Sequence, residues 1–179
     1  MKILDVGCGK KKIKGAIGID IADADILHNL NETPYPLKSN SFDRIYSRHC
    51  LEHLNEFTQT VIELHRITKK NGILEIIVPF YASAGAHLPT HKLFFNYNSF
   101  DLFSESNDRW DITKNKLFEI VEGKYSFHPK AVETKYTLPS KIVFFIPELL
   151  ANSFPLLYQK IFANILPAYE IRFILRVIK

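Results

Sequence analysis

The chain has 179 residues, 46% of them hydrophobic and 23% charged, with a formal net charge of +4. That length fits one domain of about 100–200 residues, and the composition excludes a disordered or collagen-like chain. No run of about 18 apolar residues occurs, so no membrane-spanning helix is expected, and the modest positive charge does not by itself call for nucleic acid. Cys8 and Cys50 lie in unlike surroundings and make no disulfide framework, and no signal peptide precedes residue 3. A reducing, cytoplasmic setting is the expectation.

The apolar run from Met1 to Val6 ends in Gly7-Cys8-Gly9 and predicts a buried strand feeding a glycine turn. Residues 16–21 predict a second strand, Asp25 to His28 a third, and Phe42 to Ser47 a fourth. Asn55 is a candidate helix cap and Glu56 suits a first turn, after which Phe57, Val61 and Leu64 recur at helical spacing. Lys69 and Lys70 suit the negative end of that helix, with Asn71-Gly72 as a left-handed stop. The β-branched run Ile73 to Pro79 predicts a central parallel strand covered on both faces.

Beyond residue 80, residues 81–98 predict an irregular loop, and Asn98 or Ser99 a cap for a short helix to Ser104. Leu117–Phe127 and Tyr169–Ile178 predict strands that pair antiparallel at a sheet edge. Between them, 138–167 is a hydrophobic helical segment in which Leu157/Tyr158, Ile161/Phe162 and Ile165/Leu166 share a face. Packed, it would cover the sheet; exposed, it would serve as a substrate lid, a dimer element or a peripheral membrane contact. Phe80, Tyr81, Phe94, Phe95, Tyr97 and Trp110 are candidates for an apolar pocket, though aromatics of this kind are more often core.

A glycine turn after the first parallel strand lets a ligand approach the backbone, and an acid ending the next strand can accept from both hydroxyls of a ribose. Gly7, Gly9 and Asp20 supply that combination and point to a nucleoside. A dinucleotide is disfavoured, because Lys12 stands where a third small residue is required and Asp20 follows Gly7 by only 13 residues. No Gly-Lys-Ser/Thr phosphate loop is present.

Leu4-Asp-Val-Gly-Cys-Gly9, Gly18-Ile-Asp20, Ser41-Phe-Asp-Arg-Ile-Tyr46, Leu51-Glu-His-Leu54 and Leu64 to Ile73 together resemble class I S-adenosylmethionine-dependent methyltransferases, in particular the broad small-molecule group sometimes called type 11. The resemblance is strong over residues 3–80 and weak over the last strand. It implies an α/β, Rossmann-like fold, mostly parallel with an antiparallel last strand. Residues 1–80 would form a cofactor-binding half and 81–179 a substrate-side half of one domain.

It further implies that Asp5, Gly7, Cys8 and Gly9 face the methionine part of the cofactor and that Asp20 holds the ribose. Ile21 would pack on the adenine, Asn29 and Leu30 would lie at its edge, and Ser47, Arg48 and His49 would close over the sulfonium side. Only Lys10 to Gly15 and four residues after Asp20 link the first three strands. A parallel crossover usually takes about a dozen residues, so these links are expected to be stubs that leave the sheet thinly covered near residues 10–24.

Methyl transfer needs alignment, exclusion of water and, for a protonated nucleophile, a base. His49, His53, His87 and His91 fall beyond strand ends on the cofactor side, and His53 or His91 is the expected base. His49-Cys-Leu-Glu52-His53 also spells an inverted zinc-protease string. That chemistry needs both imidazoles on one helix, whereas here the string follows a strand directly, so no metal is assigned. Two imidazoles with Glu52 still form a donor set that a transition metal could use. The expected function is methyl transfer from S-adenosylmethionine to a small, apolar or aromatic acceptor, releasing S-adenosylhomocysteine. The alternatives are a non-catalytic cofactor-binding module acting through a partner and a zinc hydrolase.

Overall fold

The structure is a computed structural model that describes residues 1–104, 116–128 and 138–179. Alternation decides its layering. In the strand running to Pro79, Leu74, Ile76 and Val78 are fully buried, the alternate Ile73 and Glu75 are partly exposed, and Ile77 is buried again. The strands are β1 (Ile3–Val6), β2 (Ile17–Asp20), β3 (Ile26–Leu27), β4 (Phe42–Arg48), β5 (Thr68–Pro79), β6 (Phe118–Ser126) and β7 (Glu170–Val177). They form one sheet in the order β3-β2-β1-β4-β5-β7-β6. Pairing is parallel from β3 through β5, and β7 lies antiparallel between β5 and β6.

The short links behave as their length requires. A single 3-10 turn, Gly9–Lys11, separates β1 from β2, and β2 reaches β3 through bends alone. Asp25 replaces the missing helix: its carboxylate accepts from the Gly18 N–H at 2.7 Å and pairs with Lys12 at 2.6 Å. Lys10, Lys11 and Lys12 are exposed, as the stub crossovers imply.

Strand β5 is covered on both faces toward its carboxyl end, where Ile76, Ile77, Val78 and Pro79 are all buried, and is partly open on one face nearer its start, at Ile73 and Glu75. There that face is wet, and a charge ladder crosses it from β4 to β6. Arg44 meets Glu75 at 2.7 Å, Arg172 meets Glu75 at 3.6 Å and Glu122 at 2.8 Å, and Arg176 meets Glu119 at 2.6 Å. The opposite face is dry, built from Leu4, Val6, Ile45, Leu74, Ile76, Val78, Phe173 and Leu175.

Helix α1 (Phe57–Ile67) lies against β5 and buries Thr60, Val61, Glu63, Leu64 and Ile67 on one face. Its ends differ from the sequence expectation. Glu56 is the first flanking residue, with no side-chain cap, while Asn55 ties two loops by donating to Asn31 at 2.7 Å and accepting from Lys92 at 2.7 Å. The helix stops at Ile67 because the Thr68 hydroxyl and N–H both turn back to the Leu64 carbonyl. Lys69 then pairs with Asp43, and Asn71 takes the left-handed φ of 61° beyond the helix. The short helix expected up to Ser104 is one 3-10 turn, Asp101–Phe103.

Helix α2 (Leu138–Ser153) is clipped to the end of β6 by polar groups. Asn152 accepts from the Tyr125 N–H at 2.7 Å and donates to its carbonyl at 3.0 Å, and Glu148 accepts from the Phe127 N–H at 3.2 Å. The chain continues through a short turn, Pro155–Leu157, into a π-type turn, Tyr158–Phe162. The apolar face expected to pack is mostly outward: Ile161, Phe162 and Ile165 are exposed, and only Tyr158 of that set is buried. Of the aromatic candidates, Phe80 and Phe95 are core, Phe94 is exposed, and Trp110 lies outside the described residues.

The buried carboxylate of Glu63 accepts from the Tyr35 N–H at 2.9 Å and from Arg66 at 2.8 Å. Burial opposes its ionisation, but Arg66 and the Tyr35 N–H more than offset that and hold it below the ordinary carboxylate range. Its contribution is therefore complete above the unfolded carboxylate pKa and is lost as pH falls through the lower folded value. Denaturant titrations at pH 7 should show Glu63→Gln less stable by about 1.5–3 kcal/mol, and the difference should shrink on acidification. A pH-independent difference would rule out the ion pair as its cause.

Candidate functional site

The site begins where β1 leaves the sheet. Gly7 has φ of 68°, and a Cβ placed on it would lie 2.3 Å from the Cys50 sulfur, so only glycine fits this bend. Gly9, also left-handed at 47°, donates its N–H to Asp20 Oδ2 at 2.8 Å. The Ile21 N–H donates to Asp20 Oδ1 at 2.7 Å. Both oxygens of this acid are thus oriented by main chain, and each keeps a lone pair for a further donor.

A cleft of about 320 Å3 opens beside that bend. Gly7, Asp20, Ile21, Asn29, Leu30 and His49 line it, as does Asn31, with Cys50, His53 and Leu54 at the inner wall. Ile21 is 71% exposed and offers a bare apolar surface to a flat ring. The Asn29 side chain is already committed to its turn. Its oxygen accepts from the Asn31 N–H at 3.1 Å and its amide donates to Glu32 at 2.9 Å.

A second cleft of about 320 Å3 adjoins the first through Gly7, His49 and His53. Cys8, Arg48, Glu52 and His91 line it from below, and Pro79, Gly85, Leu88 and Tyr169 close the far side. Asp5 and Ser47 reach neither cleft surface. Asp5 is buried, where its Oδ2 accepts from the Ile13 N–H at 2.8 Å and from Arg48 at 3.2 Å. Burial raises its pKa, against the pull of Ile13 and Arg48. Arg48 also donates to the Lys11 carbonyl at 2.9 Å, so Asp5 acts on the cleft by fixing this guanidinium and the lysine turn. Ser47 is wholly buried within β4.

His49 stands at the junction of the clefts in the left-handed conformation, φ 49°. Its Nε2 lies 3.1 Å from Glu170 Oε2, and its Nδ1 is 3.3 Å from Glu52 Oε1. Burial works against its protonation, yet the Glu170 and Glu52 carboxylates raise it to about 9. Glu170 had no signal in the sequence; it arrives because the antiparallel register sets it opposite Pro79, at the carboxyl end of β5.

His53 and His91 come together across 38 residues of chain, their rings edge-to-face with centroids 4.6 Å apart. His53 Nδ1 lies 3.1 Å from the Thr90 carbonyl, which assigns the proton to Nδ1 and leaves Nε2 as an acceptor. Burial lowers the His91 pKa and keeps that ring neutral. His87 does not join them; its ring lies against Phe94. The two clefts together thus offer a place for a nucleoside beside Asp20 and a charged, imidazole-lined chamber next to it.

Residues 4–76 match the family model described as a methyltransferase domain. Among curated proteins, none matches this sequence at a significant level. Among solved structures, a SAM-dependent methyltransferase from Archaeoglobus fulgidus superposes with a TM-score of 0.61 at 17% identity, covering 98% of this chain and 85% of that one. A Haloferax volcanii methyltransferase solved in complex with the Trm112 methyltransferase activator gives 0.59 at 12% identity, covering 99% and 83%. Haemonchus contortus phosphoethanolamine N-methyltransferase 2 in complex with S-adenosyl-L-methionine gives 0.57 at 16%, covering 99% of this chain and 49% of that chain. At these identities the structural likeness is one of fold, and it agrees with the family match over residues 4–76. The match over residues 4–76 and the shared fold together support a methyltransferase that uses S-adenosylmethionine as its cofactor.

Proposed function

We propose that this enzyme transfers a methyl group from S-adenosylmethionine to a small-molecule acceptor, with the cofactor spanning the two clefts. The observation that carries this reading is their junction at Gly7, His49 and His53. The adenosine occupies the first cleft, its ribose diol on Asp20 and its ring on Ile21. The methionine tail turns past Gly7 and Cys8 toward Arg48, whose guanidinium suits its carboxylate. The sulfonium then lies near the junction, where the buried carboxylates of Glu52 and Glu170 favour a cation.

The acceptor enters the second cleft, and its size follows from the space of about 320 Å3 that it shares with the methionine tail. A lone pair of the acceptor forms a bond to the methyl carbon as the carbon–sulfur pair returns to sulfur, giving S-adenosylhomocysteine. His53 and His91 face the acceptor and serve its activation, while the protein holds donor and acceptor in line.

A second, partner-dependent reading has its own support in the outward apolar band of Val143, Phe145, Leu149, Phe154 and Ile161. The Haloferax volcanii neighbour is bound to an activator protein, and a protein covering this band would act on the present chain in the same sense. Among the described residues, no helix is long and apolar enough to cross a membrane.

Calorimetric titration with S-adenosylhomocysteine tests the cofactor placement. Asp20→Asn should lose about 1.5–3 kcal/mol, roughly tenfold to 150-fold in affinity, and equal affinity would remove Asp20 from the site. Gly7→Ala should both weaken that binding and lower stability by about 1–3 kcal/mol, because the methyl group collides with Cys50. In methyl-transfer assays at saturating S-adenosylmethionine, His53→Ala and His91→Ala should each reduce turnover, and unchanged turnover would remove both from the acceptor side. Cofactor binding without turnover by the native chain alone, reversed by an added protein, would select the partner-dependent reading.

A further inference from the structure

Glu52 is 1% exposed, and neither of its carboxylate oxygens has a hydrogen-bond donor among the described residues. His49 Nδ1 is within ion-pair reach at 3.3 Å but is not aligned to donate. A buried carboxylate without donors is costly by several kcal/mol unless another charge compensates it. His49 is a charge partner within reach, but it is shared with a second buried acid, Glu170. One imidazole thus faces two carboxylates, and two further imidazoles stand beside them. One nitrogen of His53 faces the Thr90 carbonyl, so the other is a free lone pair. His91 likewise has a buried Nδ1 with no partner. One donor atom from each of Glu52, His53 and His91 can be chosen so that all lie within 4.8 Å of one another.

We propose that Glu52, His53 and His91 form a binding site for one divalent transition-metal cation, of the zinc or manganese class, at the floor of the acceptor cleft. Two imidazoles and a carboxylate are a donor set for such ions, and three protein ligands leave a coordination position open. Metal-bound histidines commonly direct their second ring nitrogen to a backbone carbonyl, which is what Thr90 provides for His53. His49 takes no part as a ligand, since its Nε2 is directed at Glu170; it stands behind Glu52 and orients it.

All three residues line the second cleft beside Gly7 and Cys8, so the open position faces the acceptor. The acceptor class is then a small molecule bearing an oxygen ligand, such as a hydroxyl or carboxylate, next to the atom to be methylated. This role toward the acceptor rests on the methyl-transfer reading; binding of the cation does not. With the cation in place, His53 and His91 are ligands and not bases, and the acidity of the acceptor hydroxyl is raised by the metal, its proton passing to solvent.

The test uses the full chain stripped with chelator and titrated calorimetrically with Zn2+ and with Mn2+, in parallel with S-adenosylhomocysteine. The expected result is one-to-one binding of at least one of the two ions, weakened about tenfold or more in Glu52→Gln and in His91→Ala. A cooperative thermal melt of each variant, with a far-ultraviolet circular dichroism spectrum matching the native chain, establishes that they fold. Binding of both ions weaker than about 1 mM, or equal in native and variant chains, overturns the site. Should a variant fail to fold, Co2+ added to the native chain decides by its absorption spectrum. Bands of nitrogen and oxygen ligation uphold the site, and a thiolate charge-transfer band moves the ion to a cysteine and overturns it. Failure of the metal titration with S-adenosylhomocysteine still bound leaves the methyl-transfer reading standing; failure to bind S-adenosylhomocysteine would count against that reading alone.

Discussion

One hydrogen bond holds the candidate site in shape: the Gly9 N–H donated to the Asp20 carboxylate across two parallel strands. It joins the bend that follows β1 to the acid that ends β2, so the bare main chain and the negative group keep a fixed separation. The bend itself exists only because Gly7 can pass the Cys50 sulfur with no Cβ between them. With crossovers too short for helices, no packed layer enforces this geometry from outside. Local polar contacts do so instead, Asp25 on Gly18 and Asp5 on Ile13 being two further cases of a carboxylate seated on a loop or strand N–H.

The same shortage of helices explains the two unlike faces of the sheet. The dry face packs against α1 and the loops after β5. The wet face carries the arginine–glutamate ladder, whose pairs are partly solvated and each worth about 0–1 kcal/mol. Their value lies in keeping an uncovered sheet face hydrated rather than in stability. Helix α2 and the turns after it make the opposite choice. They are attached by Asn152, Glu148 and Tyr158, polar groups that satisfy backbone atoms at the end of β6 and before β7, and they leave a leucine- and phenylalanine-rich surface outside.

Charge organises the chamber between these elements. Glu52 and Glu170 are both buried, and His49 between them is held protonated up to about pH 9. Two acids against one imidazole leave a floor that favours a cationic group. The positive-φ backbone at His49 is what turns the imidazole from the end of β4 back toward both acids. A strained residue at that place is consistent with a site that depends on its direction.

Much of the first 80 residues was legible in the linear text, because each of their features is local. A glycine needed for a bend, an acid at a strand end and links too short for helices are all stated within residues 3–25, and periodicity alone marked α1 and β5. The helix caps were misjudged at Asn55 and at Lys69, since those side chains found loop and strand partners that no window reveals. The two-sided burial expected of β5 holds over Ile76–Pro79 but not at Ile73 and Glu75, because a β-branched run does not say how far a second layer reaches along it. Sequence spacing grouped His49, Glu52 and His53, yet only folding turned His49 away to Glu170 and carried in His91 from 38 residues downstream. Local chemistry, in short range, was written in the residues; which distant groups share the chamber was decided by strand register and loop return, long-range matters that one-dimensional spacing does not encode.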